Sequence, residues 1–110
     1  MMKILLTLLI SMISWGVFAY DGWSGANKIG SIRVYSEAKV YITMPGAENP
    51  KECSSTNFLM LVNADTDVGK RQYSALLTAY ASGKNVDLAL TGCSNGGTSG
   101  YPLIEQVWLK

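Results

Sequence analysis

The sequence predicts a small, mainly β domain with one helix: five short strands in the order β-β-β-α-β-β, closing into a barrel. Three observations carry the prediction. The chain has 110 residues, enough for one domain and no more. Apolar and polar residues alternate with period two in several short runs, and only the stretch after Asp67 has helical periodicity. Turn residues such as Pro45-Gly46 and Gly83 separate these runs, with no repeat, linker or second domain between them.

Residues 1–19 read as a secretory signal peptide. Lys3 supplies one positive charge, and Ile4 to Ile13 is apolar apart from Thr7 and Ser11. Val17-Phe18-Ala19 then places small or β-branched residues at the −3 and −1 positions of a cleavage site. The apolar stretch is shorter than the roughly 20 residues of a span, and no basic stop-transfer cluster follows it. Cleavage near Ala19 is expected to export residues 20–110, as one domain, to the periplasm or the exterior, without a membrane span. Loss of Lys3 leaves equal numbers of basic and acidic side chains. A domain of this size is marginal without a covalent staple. Cys53 and Cys93, an even count in an exported chain, read as a disulfide. The bridge closes a loop of about forty residues, which contributes roughly 4 kcal/mol through chain entropy.

Tyr20 to Lys28 is short and turn-rich and reads as an irregular lead-in. Ile29 to Tyr35 sets Ile32 and Val34 against Ser31, Arg33 and Tyr35. After a tight connection at Glu37-Ala38, Lys39 to Met44 sets Val40, Ile42 and Met44 against Lys39, Tyr41 and Thr43. The two runs predict a hairpin. Ala47 to Thr56 is a polar loop containing Asn49-Pro50 and Cys53. Phe58 to Val62 is continuously apolar and of strand length, which suits a strand buried on both faces. Asp65 or Asp67 then caps a helix of about fifteen residues on which Gly69, Tyr73, Leu76, Leu77 and Tyr80 recur at helical spacing. Gly83 follows as its terminator, with Lys84 just beyond. Val86, Leu88 and Leu90 alternate with Asp87, Ala89 and Thr91. Cys93 to Gly100, rich in Gly, Ser and Asn, reads as a mobile loop. A closing strand sets Leu103, Glu105, Val107 and Leu109 against Ile104, Gln106 and Trp108. Five strands with a helix between the third and fourth is the element order of the OB-fold barrel.

Composition excludes several chemistries. There is no His, hence no Ser-His-Asp triad, Cys-His dyad, His-ligated zinc or imidazole acid–base pair. A formal charge of +1 with scattered basic residues lacks the footprint of a nucleic-acid binder. Asp65 and Asp67 immediately precede the helix, where capping accounts for both. They begin a calcium-loop spacing that no later Gly or Glu completes. Glu48 and Glu52 belong to a solvated loop. The single Ser-x-x-Lys, Ser36-Glu-Ala-Lys39, spans the hairpin turn and has no companion motif. Ser94-Asn-Gly-Gly97 lacks the Lys and the helix of a phosphate loop. No catalytic residue, cofactor or metal is therefore expected.

Aromatic residues in loops and on polar strand faces are the remaining candidates. Flat rings pack on sugar faces while small polar groups bond the hydroxyls, so Trp23, Ser24, Tyr35, Tyr41 and Tyr101 are the expected ligand-binding residues. Trp23 and Trp108 fit equally well as covers for the ends of the core or as part of a subunit contact.

The chain resembles a known family in Trp23-Ser-Gly-Ala26 leading into Gly30-Ser-Ile-Arg-Val34, in Cys53-Ser54, and in Lys70-Arg-Gln-Tyr-Ser-Ala-Leu-Leu77 with Ser82-Gly83. The likeness continues through the strand at Val86 and Tyr101-Pro102. These stretches are similar to the B subunit of subtilase cytotoxin and its relatives, over nearly all of residues 20–110. The resemblance implies an OB-fold, a pentameric ring, binding of sialylated glycans and a separate catalytic A subunit. It also implies that two glycan-contacting positions, a Ser and a Tyr, are occupied here by Ile29 and Leu90, which lack those hydroxyls. Ile42 stands near a family Cys, and Cys93 supplies the second sulfur in its place. The expected function is an exported, non-catalytic binding protein, a homo-oligomer with a glycan or protein ligand. The alternative is a monomeric exported inhibitor or structural protein acting on a periplasmic partner.

Overall fold

The computed structural model describes residues 20–110. The signal peptide expected over residues 1–19 lies outside the described residues. The elements are β1 (Gly22–Trp23), β2 (Asn27–Lys28), β3 (Ser31–Val34), β4 (Val40–Thr43), β5 (Leu59–Leu61), α1 (Asp67–Ser82), β6 (Asn85–Cys93) and β7 (Pro102–Leu109). The domain is mainly β with one helix, as the patterning predicts. The strands make one mixed sheet in the order β1-β6-β7-β5-β4-β3, with β2 also paired to β6. Only the β5–β7 pairing is parallel. The sheet has seven strands, six of them on the hydrogen-bonded path, and is open, where the pattern predicts five strands in a closed barrel.

The difference lies in residues 20–28, which are not an irregular lead-in. β1 pairs Gly22 with Leu90 and Trp23 with Ala89, and β2 pairs Asn27 with Val86 and Lys28 with Asn85. The register slips by one residue across Ser24–Ala26, so the two short strands form one bulged edge along β6. Ile29 then turns into the core, and the chain continues as β3 against β4. Consecutive pieces of Gly22–Val34 thus supply both edges of the sheet.

The predicted hairpin forms, with Val40, Ile42 and Met44 buried on its inner face. Val34 departs from the expected pattern and is 59% exposed. It lies at the end of the edge strand and lines a groove with Tyr73 instead of entering the core. Leu59, Met60 and Leu61 are all buried, as expected of a strand covered on both faces. The helix buries Gly69, Leu76 and Ala79 against the sheet. Its N-cap is Thr66, between the two aspartates the pattern favours, with the hydroxyl accepting from Gly69 N–H at 3.0 Å. Asp67 occupies the first turn, where its charge suits the helix dipole. A Cβ at Gly69 would collide with the Asn63 carbonyl, so only glycine lets the first turn of the helix approach the Asn63–Ala64 backbone so closely. Gly83 ends the helix in the left-handed conformation, φ 68°.

On β7 the expected strict alternation fails. Leu90 faces Ile104 but Ala89 faces Gln106, which leaves Glu105 as an extra residue. This bulge puts Ile104 on the same face as Val107, whereas uninterrupted alternation puts them on opposite faces. The Gly-rich segment after Cys93 is also more tightly held than its composition predicts. Ser94 N–H donates to Tyr101 O, Asn95 N–H to Ser99 O and Ser99 N–H to Gly96 O, at 2.8, 3.0 and 2.9 Å. Ser54 and Ser55 N–H donate to Thr98 and Gly100 carbonyls at 2.7 and 3.1 Å. The expected Cys53–Cys93 disulfide is present beside these bonds, with Cα atoms 5.7 Å apart.

Candidate binding face

Strand alternation separates the hairpin and its neighbours into two surfaces. Val40, Ile42, Leu59, Leu61 and Ile104 enter the core beneath α1. Ser31, Arg33, Tyr41, Thr43, Phe58, Met60, Tyr101 and Leu103 therefore belong to the opposite, outer surface. Two observations establish this. The Ser31 and Thr43 hydroxyls meet at 2.7 Å, and four of the rings on this side form one continuous cluster.

Tyr41 is the hub of that cluster. Its ring stacks on Tyr35 with centroids 5.4 Å apart and planes at 12°. It also meets Phe58 at 5.5 Å and Tyr101 at 5.9 Å. Phe58 and Tyr101 close the set edge-to-face at 5.6 Å. Each contact contributes about 0.5–1.5 kcal/mol beyond area burial. Met60 is buried but lies apart from the main core, with Tyr41 and Leu103 as its partners in register. It forms the floor of the cluster. The rings are not sealed over: Tyr35 is 60% exposed, and Tyr41, Phe58 and Tyr101 are half-buried. At the far end of β4, Thr43, Glu48, Thr56 and Asn57 line a cavity of about 210 Å³ that adjoins this face.

Three of the five expected ligand residues, Tyr35, Tyr41 and Tyr101, thus come together. Trp23 does not join them. It packs against Tyr20 at 5.3 Å and Trp108 at 5.7 Å, over the β1–β6–β7 part of the sheet. There Lys110 Nζ lies 3.5 Å from the Trp108 ring centre and 3.9 Å from Asp87 Oδ2. Ser24 is buried, with 0% exposure. Its hydroxyl accepts from Leu88 N–H at 2.9 Å, and its own N–H donates to Leu88 O at 2.7 Å. It holds the β1–β2 bend onto β6 and offers nothing to a ligand. Sequence reasoning missed Phe58, although alternation with the buried Leu59 places it on the side of Tyr41.

Elsewhere the described residues offer little chemistry. Ser36 and Lys39 bond through their backbones across the hairpin turn, with both side chains exposed and no hydrogen bond between those side chains. No group of three Cys, Asp or Glu residues is placed to hold a metal ion among the described residues. No helix among them is long and apolar enough to cross a membrane. No protein-family model, curated protein or solved structure matches the chain.

Proposed function

We propose that this chain is an exported, non-catalytic binding protein that takes its ligand on the outer aromatic face, in the manner of a toxin B subunit. The observation that carries this reading is the half-open ring cluster. A protein with no external use for them has little reason to keep four connected aromatic rings on the side of the sheet away from its core. Flat rings beside hydroxyls suit a glycan. The disulfide fits an oxidising compartment. For kinship with the OB-fold, itself a partly open barrel, the support is that the Gly22–Val34 segment supplies both edges of the open sheet. For a ring of subunits, the support is the exposed apolar set Val34, Leu77 and Tyr80 on β3 and α1.

A glycan array probed with the wild-type protein and with Tyr41→Ala tests the binding function. Hits that disappear in the variant are expected. A blank array together with specific recovery of one periplasmic protein would instead establish the inhibitor or structural role. Light scattering tests assembly independently: a pentamer is expected, and a monomer at micromolar concentration removes the ring while leaving the binding face.

A further inference from the structure

We propose that the indole pair on β1 and β7 is a second binding site, separate from the Tyr41 face, for a small quaternary ammonium ion of the choline type, with the Lys110 ammonium as its resident stand-in. Trp23 lies opposite Ala89 and Trp108 opposite Asp87. Asp87 and Ala89 alternate on β6 with the core residues Val86, Leu88 and Leu90, so both tryptophans stand on the side of the sheet away from the core. Lys110 N–H donates to Asn85 O at 2.9 Å, which continues the β6–β7 ladder and brings the Lys110 side chain out beside Trp108. The two indole planes meet at 66° with centroids 5.7 Å apart, and Tyr20 meets Trp23 at 69°. Successive edge-to-face rings make walls of differing orientation, as in the aromatic cages that hold quaternary ammonium groups. Trp108 is 53% exposed, so a solute can reach its ring.

The site already holds a cation. Lys110 Nζ lies 3.5 Å from the Trp108 ring centre, well within the roughly 6 Å over which a cation is attracted to an aromatic face. Its distance to Asp87 Oδ2 is 3.9 Å, too long for a hydrogen bond. Asp87 is itself held in place, because its Oδ1 accepts Gly25 N–H at 3.0 Å. Ring and carboxylate therefore offer a cation π surface and negative charge, not a hydrogen-bond acceptor at bonding distance. A primary ammonium is strongly hydrated, and it gives up water here without gaining a hydrogen bond from Asp87 in return. A trimethylammonium group has no N–H to satisfy and lays its methyl groups against the rings. The Lys110 side chain is 36% exposed, and a surface ion pair of this kind is weakly held, so a better-suited cation displaces it. The single negative charge of Asp87 selects against anionic ligands.

Titration of the folded protein with choline chloride, followed by NMR through the indole N–H signals of Trp23 and Trp108, tests the assignment. Choline is expected to bind at least about tenfold more tightly than its neutral carbon isostere, neopentyl carbinol, and severalfold more tightly than ethanolamine. Trp108→Leu, which keeps an apolar side chain on the sheet, is expected to abolish choline binding. Asp87→Asn, which keeps an acceptor for Gly25 N–H, is expected to weaken it about fivefold. Lys110→Gln removes the resident cation and is expected to tighten choline binding about threefold, the opposite of what loss of a merely structural contact does. An unchanged circular dichroism spectrum confirms that each variant folds, and the neutral isostere and Lys110→Gln decide the matter should Trp108→Leu unfold. Equal binding of choline and the isostere, or of choline and ethanolamine, overturns the proposal. So does the absence of any shift at roughly 50 mM choline, or choline binding that Lys110→Gln leaves unchanged or weaker. Once choline binds, choline-sensitive sedimentation with phosphatidylcholine vesicles assigns the cation to a lipid headgroup, and no sedimentation assigns it to a soluble molecule. Array hits that depend on Tyr41 report on the other face and are independent of all these outcomes.

Discussion

Ser24 and Tyr41 show how differently two residues with similar sequence credentials are used. Ser24 sits beside Trp23 in a Gly-rich run, the setting expected of a sugar-contacting serine, yet its hydroxyl is the partner of a buried backbone donor on β6. Ser24→Ala leaves the Leu88 N–H unsatisfied and is expected to cost about 1–3 kcal/mol in urea unfolding, with ligand binding unchanged. Tyr41→Ala removes three ring contacts together with part of the cover over Met60. A loss of about 2–4 kcal/mol is expected, along with the binding signal. Tyr35→Ala separates the two effects: its ring is mostly exposed and makes a single ring contact, so stability is expected to fall by about 1 kcal/mol while binding falls sharply. Alternation put Tyr41 and Tyr35 on a polar face of the hairpin from the sequence alone. It had no means of showing Ser24 to be buried, because the partner that buries it lies sixty-four residues away along the chain.

Among the elements, those governed by local chemistry were legible and those governed by distant pairing were not. The hairpin, the buried β5 run and the helix with its terminal glycine all follow from periodicity and caps. The choice of Thr66 over its flanking aspartates follows from where the first turn docks on Asn63 and Ala64. Thr66→Ala is expected to cost about 1 kcal/mol, whereas Asp65→Ala and Asp67→Ala cost a few tenths, measured as shifts in the urea midpoint. β1 and β2 are two residues each, too short to show any alternation. Their existence depends on β6 presenting an unpaired edge. The bulge at Glu105 is equally silent in the sequence, since one inserted residue changes the facing of those beyond it without altering composition. Part of the binding face was visible as scattered exposed aromatics. Its unity depends on β5 and β7 lying side by side in parallel, a pairing no local pattern encodes.

At the scale of the whole molecule, the disulfide and the hydrogen bonds around Ser54 and Ser55 tie the loop before β5 to the turn before β7. Phe58 and Tyr101 extend from those two tied segments. The bridge therefore stabilises the domain and also fixes half of the aromatic face. Replacing both cysteines by serine is expected to lower unfolding free energy by roughly 4 kcal/mol in the chain-entropy account, as read by urea titration. Intact mass should show the oxidised protein two hydrogens lighter than its reduced form, and labelling of two free thiols in the native protein would contradict the bridge.

The use of Gly22–Val34 on both rims also sets an order of assembly. β3 meets β4 across a tight turn and can zip early, whereas β1 must wait for β6, more than sixty residues downstream. Until it docks, β6 presents a bare row of backbone donors and acceptors beside Val86, Leu88 and Leu90, the kind of strand that recruits a neighbouring chain. The short N-terminal strands thus act as a late-closing guard against aggregation. Refolding yield should fall steeply with protein concentration when Ser24, which fastens them to β6, is replaced by a residue without a hydroxyl.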